Sequence, residues 1–176
     1  MQVGEKSNVV NVADVSEIAA DDTENWISYY KPLTPALPRQ GHLGVNLSRV
    51  PSGQSACPFH THQLDDEVFY VISGRGVFRY GDDIREIGPG DCISCPAGSG
   101  IGHQIANPFK EDLLYLAIGT NDPNEVCTYP DSGKVMVCSL HKTGYLKTAE
   151  YFDGEPGPAR IMAMAERLRR NPAAKK

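Results

Sequence analysis

The chain has 176 residues, which is enough for one domain with a substantial hydrophobic core. Hydrophobic residues make up 40% and charged residues 22%, and the formal net charge is -5. A mildly acidic chain gains little from phosphate backbones or anionic lipids, so nucleic acids and membrane surfaces are not expected partners. The five cysteines are an odd number and do not form the dense framework of a small secreted domain. Since no basic and apolar leader pattern is found either, a cytoplasmic protein with reduced thiols is expected.

The first of three predicted regions, residues 1–40, is an N-terminal arm and covering segment. Residues 1–22 are polar with a few apolar positions, so the arm is expected to lie on the main domain or on a partner subunit. The segment Asn25–Gln40 is aromatic and then rich in proline. Proline lacks an amide donor and excludes a helix, so this segment is predicted to be irregular, with its aromatic side chains covering one end of the domain.

The second region, residues 41–140, alternates short apolar runs with turn residues. Turn chemistry lies between the runs, for example at Ser73-Gly74 and at Gly88-Pro89-Gly90-Asp91. Many short strands without intervening helices are typical of an all-β antiparallel sandwich or barrel. The predicted strands are Leu43–Val50, Phe59–His62, Val68–Ser73, Val77–Tyr80, Ile84–Ile87, Cys92–Cys95, His103–Ala106, Leu113–Gly119 and Lys134–Leu140.

The third region, residues 141–176, is a C-terminal extension with one short predicted helix. Within Ala159–Arg170, Ile161, Met164, Ala165 and Leu168 recur at helical spacing. The basic residues at the end of this segment suit a helix C-terminus, and a solvated tail is favoured over a binding patch.

The residues that carry chemistry centre on two histidines in one predicted strand. Side chains alternate along a strand, so His60 and His62 point to the same side and can share one metal ion. Glu67 follows after a short turn and opens the next predicted strand, which can pair antiparallel with the first and bring a carboxylate beside the imidazoles. His103 can supply a fourth donor. Such a nitrogen and oxygen set suits a divalent first-row metal.

Two segments around these residues resemble the two motifs of the cupin superfamily. The first motif reads Gly, a spacer, His-x-His, Glu and Gly, and the second reads Gly, Pro-x-Gly, His and Asn. The matching residues of the first motif are Gly53, His60, His62, Glu67 and Gly74. Those of the second are Gly90, Pro96, Gly98, His103 and Asn107. The loops before His60 and before His103 are longer than usual, which changes loop shape more than ligand identity.

The resemblance covers about residues 41–140 and implies an antiparallel double-stranded β-helix, the jelly-roll barrel of cupins. It implies one metal ion, Fe, Mn, Zn or Ni, held by His60, His62, Glu67 and His103, and a homodimer. Glu67 is the candidate catalytic residue as well as a ligand. Asp65 and Asp66 compete for the carboxylate position, although spacing favours Glu67, and His42 and His141 are expected outside the site.

Several further residues are candidates for the pocket. In Cys92-Ile93-Ser94-Cys95, residues three apart face opposite sides of a strand, so one packed thiol is favoured over a shared redox or zinc site. Cys57 lies three residues before His60 and can approach the metal. The candidate pocket residues are Gln54, Cys57, Phe59, Phe69, Tyr80, Gln104 and Tyr115.

Function is predicted from the open positions that four protein ligands leave on a five- or six-coordinate ion. Isomerase-type proton transfer on a sugar or sugar phosphate is the leading interpretation, because the sequence is similar to small cupins described as such isomerases. A metal-dependent dioxygenase, or a lyase or decarboxylase, is the alternative, and a non-catalytic module that binds a small molecule is the third. A phosphate substrate would need converging arginine or lysine residues, which the sequence does not place in the pocket.

Overall fold

The protein is described by a computed structural model over residues 8–24, 26–34 and 41–170. In these ranges the chain forms strands, two short 3-10 helices (Val12–Asp14 and Cys138–Leu140) and one α-helix. The elements are β1 (Ile18–Thr23), β2 (Trp26–Pro32), β3 (Leu43–Val50), β4 (Gln54–Ser55), β5 (Thr61–His62), β6 (Glu67–Ser73), β7 (Gly76–Tyr80), β8 (Asp83–Ile87), β9 (Cys92–Cys95), β10 (His103–Asn107), β11 (Leu113–Thr120), β12 (Val126–Tyr129), β13 (Lys134–Val137), β14 (Lys142–Tyr145) and α1 (Arg160–Arg170).

The strands form three antiparallel sheets. The largest has the order β1-β2-β3-β11-β6-β9, the second β4-β10-β7-β8 and the third β14-β13-β12-β5. The non-sequential neighbours, such as β11 between β3 and β6, mark long connections between strands. This arrangement confirms the predicted all-β antiparallel barrel.

The core lies between the first and second sheets, because both sheets contribute buried side chains. Alternating residues of β6 and β11 face inward, and β7, β8 and β10 meet them from the other side. The buried hydrophobic cluster comprises Val50, Phe69, Val71, Phe78, Ile87, Cys95, Ile105, Leu113 and Tyr115.

Part of the segment that was expected to be irregular is a regular strand. Trp26–Pro32 forms β2, which pairs with β1 on one side and with β3 on the other. The aromatic and β-branched residues in this run favour extended backbone, and Pro32 ends the strand, where a missing amide costs little. Pro35 and Pro38 lie outside the described residues.

The predicted pairing of the histidine strand with the Glu67 strand is wrong. β5 pairs with β12, in the third sheet, whereas β6 pairs with β9 and β11 in the first. The four residues Gln63–Asp66 carry the chain from one sheet to the other instead of closing a hairpin. Glu67 therefore faces the histidines from across the barrel.

A motif glycine allows the first sheet to close. Gly74 has φ +79°, and a Cβ there would lie 2.1 Å from the carbonyl oxygen of Asp112. Only glycine tolerates both this conformation and this close approach of two backbones. The turn after β6 thereby lies directly beside the start of β11.

Residues 146–170 belong to a second compact unit, which contains α1. The helix begins at Arg160 and ends with Arg167, Arg169 and Arg170 in its last turn. This confirms the short C-terminal helix that the apolar spacing predicts. Over the described ranges, no helix is long and apolar enough to cross a bilayer.

Candidate metal centre

Three histidines converge because β5 and β10 run side by side at this point. His60 forms an isolated antiparallel bridge with His103, with hydrogen bonds from each amide to the other residue's carbonyl. Thr61 faces the opposite way and its hydroxyl contacts that of Thr128 at 2.6 Å. Strand alternation thus places His60 and His62 on one side, where both line the same cavity.

Glu67 completes the group from the first sheet. Its Oε2 lies 2.7 Å from Nε2 of His103, 3.2 Å from Nε2 of His62 and 3.9 Å from Nε2 of His60. One donor atom from each of the four residues lies within 4.8 Å of the others. Donor atoms bound to a single ion of this class lie about 3 to 3.5 Å apart, so small side-chain adjustments suffice to bind one.

The clearest sign that this group suits a metal is a buried nitrogen without a partner. Among the residues that the structure describes, none is a hydrogen-bond partner of the buried Nε2 of His62, although Glu67 is close. A buried polar atom left unpaired is costly, and such an atom aimed at other donors is expected where a ligand completes the site. A set of three imidazoles and one carboxylate fits a divalent first-row metal.

Hydrogen bonding behind His60 fixes which nitrogen faces the site. Nδ1 of His60 donates to the carbonyl of Pro58 at 2.8 Å, which leaves the Nε2 lone pair directed inward. Burial and the neighbouring imidazoles of His103 and His62 lower the pKa of His60 to about 4. His60 is therefore neutral at physiological pH, as a metal ligand must be.

The His62 and Glu67 side chains stabilise opposite charges on each other. Burial opposes a charged imidazole at His62, but contacts with Cys127 and Glu67 outweigh it and raise the pKa of His62. Burial likewise disfavours a charged Glu67, but the hydrogen bond from His103 and the nearby imidazole of His62 hold the pKa of Glu67 well below its usual range. Glu67 is therefore a carboxylate at neutral pH and can act as a ligand.

A cavity of about 290 Å³ opens onto these four residues. Three of the predicted pocket residues, Cys57, Phe69 and Tyr115, line it. Burial and the charge of Glu67 raise the pKa of the Cys57 thiol to about 12. Burial, Cys57 and Glu67 also raise the pKa of Tyr115. Both side chains are therefore protonated at neutral pH and can donate hydrogen bonds into the cavity.

The other four predicted pocket residues do not line this cavity. Gln54 accepts a hydrogen bond from the amide of Ile27, and Gln104 donates one to the carbonyl of Cys57. Both side chains are thus used in joining strands. Phe59 is buried beneath Gly102, where a Cβ would lie 2.5 Å from its ring.

Tyr80 stacks on Phe78 and lines a different cavity, between β7, β8 and β9. Although Tyr80 is the strand partner of His103, it packs against the buried cluster and does not line the metal-site cavity.

N-terminal residues line the cavity, which the sequence did not reveal. Ser28, Tyr29 and Tyr30 on β2 lie on one wall, together with Asn46 and Ser48 on β3. The pairing of β2 with β3 places these residues beside the cavity. The sequence did not predict this pairing, because the segment that forms β2 was expected to be irregular.

The structure also separates the remaining candidates. Asp65 is buried and accepts hydrogen bonds from the amide of Asp122 and the hydroxyl of Thr120, so it holds a turn instead of facing the cavity. His42 and His141 are exposed.

The two ends of the Cys92–Cys95 strand differ as predicted. Cys92 is exposed and Cys95 is buried, so the two thiols do not share a site.

Two residues behind His62 were missed altogether. Glu125 Oε1 lies 3.6 Å and Cys127 Sγ 3.5 Å from Nδ1 of His62. A buried glutamate some 60 residues from its partner leaves no spacing signal in a sequence. The only available hint was an apolar run, Val126–Tyr129, that follows an acidic residue.

Fold and site together define an antiparallel β-barrel with a candidate nitrogen and oxygen metal site beside a small cavity. Residues 46–119 match the cupin domain family Cupin_2. This stretch of the chain therefore carries a cupin domain, in line with the barrel and the candidate site.

Individual relatives have different activities in their names. An acireductone dioxygenase from Exiguobacterium sibiricum is 34% identical over 93 residues, which cover 50% of this chain and 44% of that protein. An oxalate-binding protein from Thermotoga maritima is 34% identical over 70 residues, covering 40% of this chain and 55% of that protein. The chain thus spans about half or less of the curated relatives it matches.

A solved structure is similar over a longer stretch. A cupin-superfamily sugar phosphate isomerase from Silicibacter pomeroyi is 25% identical, with a TM-score of 0.69, and the alignment covers 80% of this chain and 97% of that one. The chain is thus similar to proteins named for two reaction types, a dioxygenase and an isomerase.

Proposed function

We propose that the protein is a metal-dependent cupin enzyme in which His60, His62, Glu67 and His103 hold one divalent ion. Its substrate is a small oxygenated metabolite that enters the adjoining cavity. The observation that carries the proposal is the unpartnered, buried Nε2 of His62, which faces Glu67 among convergent donors. When bound, a first-row metal would supply a Lewis acid and, as iron or manganese, one-electron chemistry.

The side chains around the cavity favour a substrate without a phosphate group. Arg49 is bound by Glu17 and Asp112, and Arg79 by Asp131. These guanidinium groups are thus engaged by carboxylates elsewhere. The cavity instead presents hydroxyl groups of serine and tyrosine residues and the amide of Asn46. Such groups suit hydroxyl, carbonyl and enol oxygens.

Oxygen-dependent chemistry is the first candidate. Carbon-to-carbon proton transfer needs a base close to neutral pKa. Cys57 and Tyr115 have raised pKa values, and Glu67 is held as a weak base by two imidazoles. This arrangement binds and orients a substrate better than it removes a proton from carbon. The likeness to the acireductone dioxygenase supports the same reading.

Isomerase-type chemistry is the second candidate, supported by the likeness to the sugar phosphate isomerase structure. In that case Glu67 would move the proton, and the hydroxyl of Tyr115 would stabilise a developing negative charge by donating a hydrogen bond. A binding module without turnover is the third, in line with the oxalate-binding relative.

The test is turnover with and without oxygen. The protein is reconstituted with Fe(II), Mn(II), Ni(II) or Zn(II) and incubated with enediols, hydroxy acids, oxalate and unphosphorylated sugars. We expect oxygen uptake with the Fe(II) or Mn(II) protein. Anaerobic conversion to a product of unchanged composition would instead establish isomerase-type chemistry, and anaerobic loss of a fragment or of carbon dioxide would establish a lyase or decarboxylase. Saturable binding without conversion would establish the binding module. A homodimer and a cytoplasmic location remain predictions, which sedimentation and cell fractionation test.

A further inference from the structure

Two buried side chains, Cys127 and Glu125, lie beside Nδ1 of His62. β12 pairs with β5 so that Cys127 is the direct neighbour of His62 across the two strands. Cys127 Sγ lies 3.5 Å from Nδ1 of His62, and Cys127 is 2% exposed. Because paired residues in neighbouring strands point to the same side, the thiol and the imidazole meet edge to edge.

Glu125 stands behind this contact in a fixed position. Its carboxylate accepts hydrogen bonds from the amides of Gln63 at 2.8 Å, Leu64 at 2.7 Å and Asp65 at 2.6 Å. Three charge-assisted hydrogen bonds hold a carboxylate rigidly in one position. The same three amides belong to the turn that leads from His62 to Glu67, so Glu125 also sets the shape of that turn.

The directions of the hydrogen bonds follow from the groups involved. The Glu125 carboxylate can only accept, so the Cys127 thiol donates to Oε1 at 3.9 Å. The sulfur then has lone pairs with which to accept from Nδ1 of His62. When neutral His62 keeps its proton on Nδ1, the Nε2 lone pair is free for a metal ion, as a metal ligand requires.

We propose that Cys127 and Glu125 are positioning residues, which select the tautomer of His62 and orient its ring through the series imidazole, thiol, carboxylate. The inference rests on the proposed function only in taking His62 as a ligand. Both residues lie beyond the segment that matches the cupin family. Glu125 and Cys127 could themselves be counted as donors with His62, but both oxygens of Glu125 are already bonded to backbone amides, so these residues act through His62.

The test measures zinc affinity by competition with a chelator in four forms of the full chain. Cys127→Ala removes the acceptor for Nδ1, and the expected loss in affinity is about 10- to 100-fold. Cys127→Ser retains an acceptor and should recover most of it. Cys92→Ser, at an exposed cysteine on β9, is the matched control and should bind as the wild type does.

The second readout is nitrogen-15 NMR of the imidazoles, which reports the tautomer directly. The wild type and Cys127→Ser should show a proton on Nδ1 of His62 that exchanges slowly with water, and Cys127→Ala should lose that protection. Glu125→Gln weakens the hydrogen bonds that hold Cys127 and the turn, so it should give an intermediate zinc affinity. If this variant does not fold, the two Cys127 variants still decide between the outcomes.

Two results would overturn the proposal. One is a Cys127→Ala protein that binds zinc within about twofold of the wild type and keeps the protected Nδ1 proton, since removal of an oriented partner costs tenfold or more. The other is zinc–sulfur coordination in the X-ray absorption spectrum, which would make Cys127 a ligand. If the wild type binds no metal at all, the proposed function fails, while the NMR measurement on the metal-free protein still tests the positioning.

Discussion

Two groups of polar side chains meet at His62 and are built in opposite ways. In the metal-site group of His60, His62, Glu67 and His103, a buried nitrogen has no hydrogen-bond partner. In the group around Glu125, both carboxylate oxygens accept hydrogen bonds from backbone amides. A buried polar group with all its hydrogen-bond partners stabilises the fold. A buried polar group that lacks a partner indicates a site for a ligand. The two groups should therefore respond differently to substitution.

The largest effect on folding is expected for Glu125→Ala. Three buried amides lose their acceptor at once, so the free energy of unfolding should fall by about 3 to 5 kcal/mol. Urea denaturation of the metal-free protein measures this change. Glu86→Ala is the control, because Glu86 is exposed and pairs with Arg75 at the surface. A loss at Glu125 no larger than at Glu86 would mean that its amide contacts do not stabilise the fold.

His103→Ala should act on metal binding more than on folding. Loss of one donor should weaken metal affinity about 100-fold, or about 2.8 kcal/mol, and plasma mass spectrometry of the dialysed protein should find little bound metal. The free energy of unfolding should fall less than in Glu125→Ala, because His103 leaves no row of amides unpaired. His42→Ala is the matched control at an exposed histidine. If both variants lose metal equally, the ligand assignment is wrong.

A substitution of Asn107 tests whether this motif residue contributes to metal binding or to the stability of the fold. It is fully buried, donates to the carbonyls of Val50 and Glu111, and accepts from the amide of Phe109. Asn107→Ala should therefore lower the free energy of unfolding by about 2 kcal/mol and leave the metal content of the folded protein unchanged. A loss of metal without a loss of stability would move Asn107 into the site.

The smallest effect is expected at the surface, where water can replace lost partners. A hydrogen bond from Arg49 lowers the pKa of Glu17. A lowered folded-state pKa stabilises the protein above the unfolded pKa of Glu, and that stability disappears as the pH falls through the folded value. The wild type should exceed Glu17→Gln by about 0.5 kcal/mol at pH 7, and the gap in thermal unfolding should close below about pH 4. A gap that widens in acid would contradict the assignment.

Local rules predicted which side chains share a face, and the ligand assignment itself stays a prediction. Residues two apart on a strand share a face, so His60 and His62 could be placed together from the sequence. Turn residues marked most strand ends, and β3 and β9 have the bounds that the apolar runs predicted. Cys92 and Cys95 separated for the same reason.

Long-range pairing could not be predicted in this way. The sequence does not state that β5 joins β12 instead of β6, because both partners are short and equally compatible with a turn after His62. The role of Glu125 could not be predicted for the same reason, because its carboxylate binds the amides of a turn about 60 residues away in the sequence. The prediction for Trp26–Pro32 was wrong for a different reason. The prolines of the surrounding segment indicate irregular backbone, but the aromatic and β-branched residues of this run favour a strand.

The placement of β2 on the free side of β3 affects how the protein can be shortened. The family match begins at residue 46, inside β3, so a fragment cut to that match would lack the strands that cover this side. The unpaired amides and carbonyls of β3 would form an exposed edge strand, which can pair with other copies of the fragment and cause aggregation. The wall that carries Ser28, Tyr29 and Tyr30 would be lost as well. Protease protection of residues 18–32 is thus a quality check for any preparation, because a clipped sample would aggregate and lose ligand selectivity together.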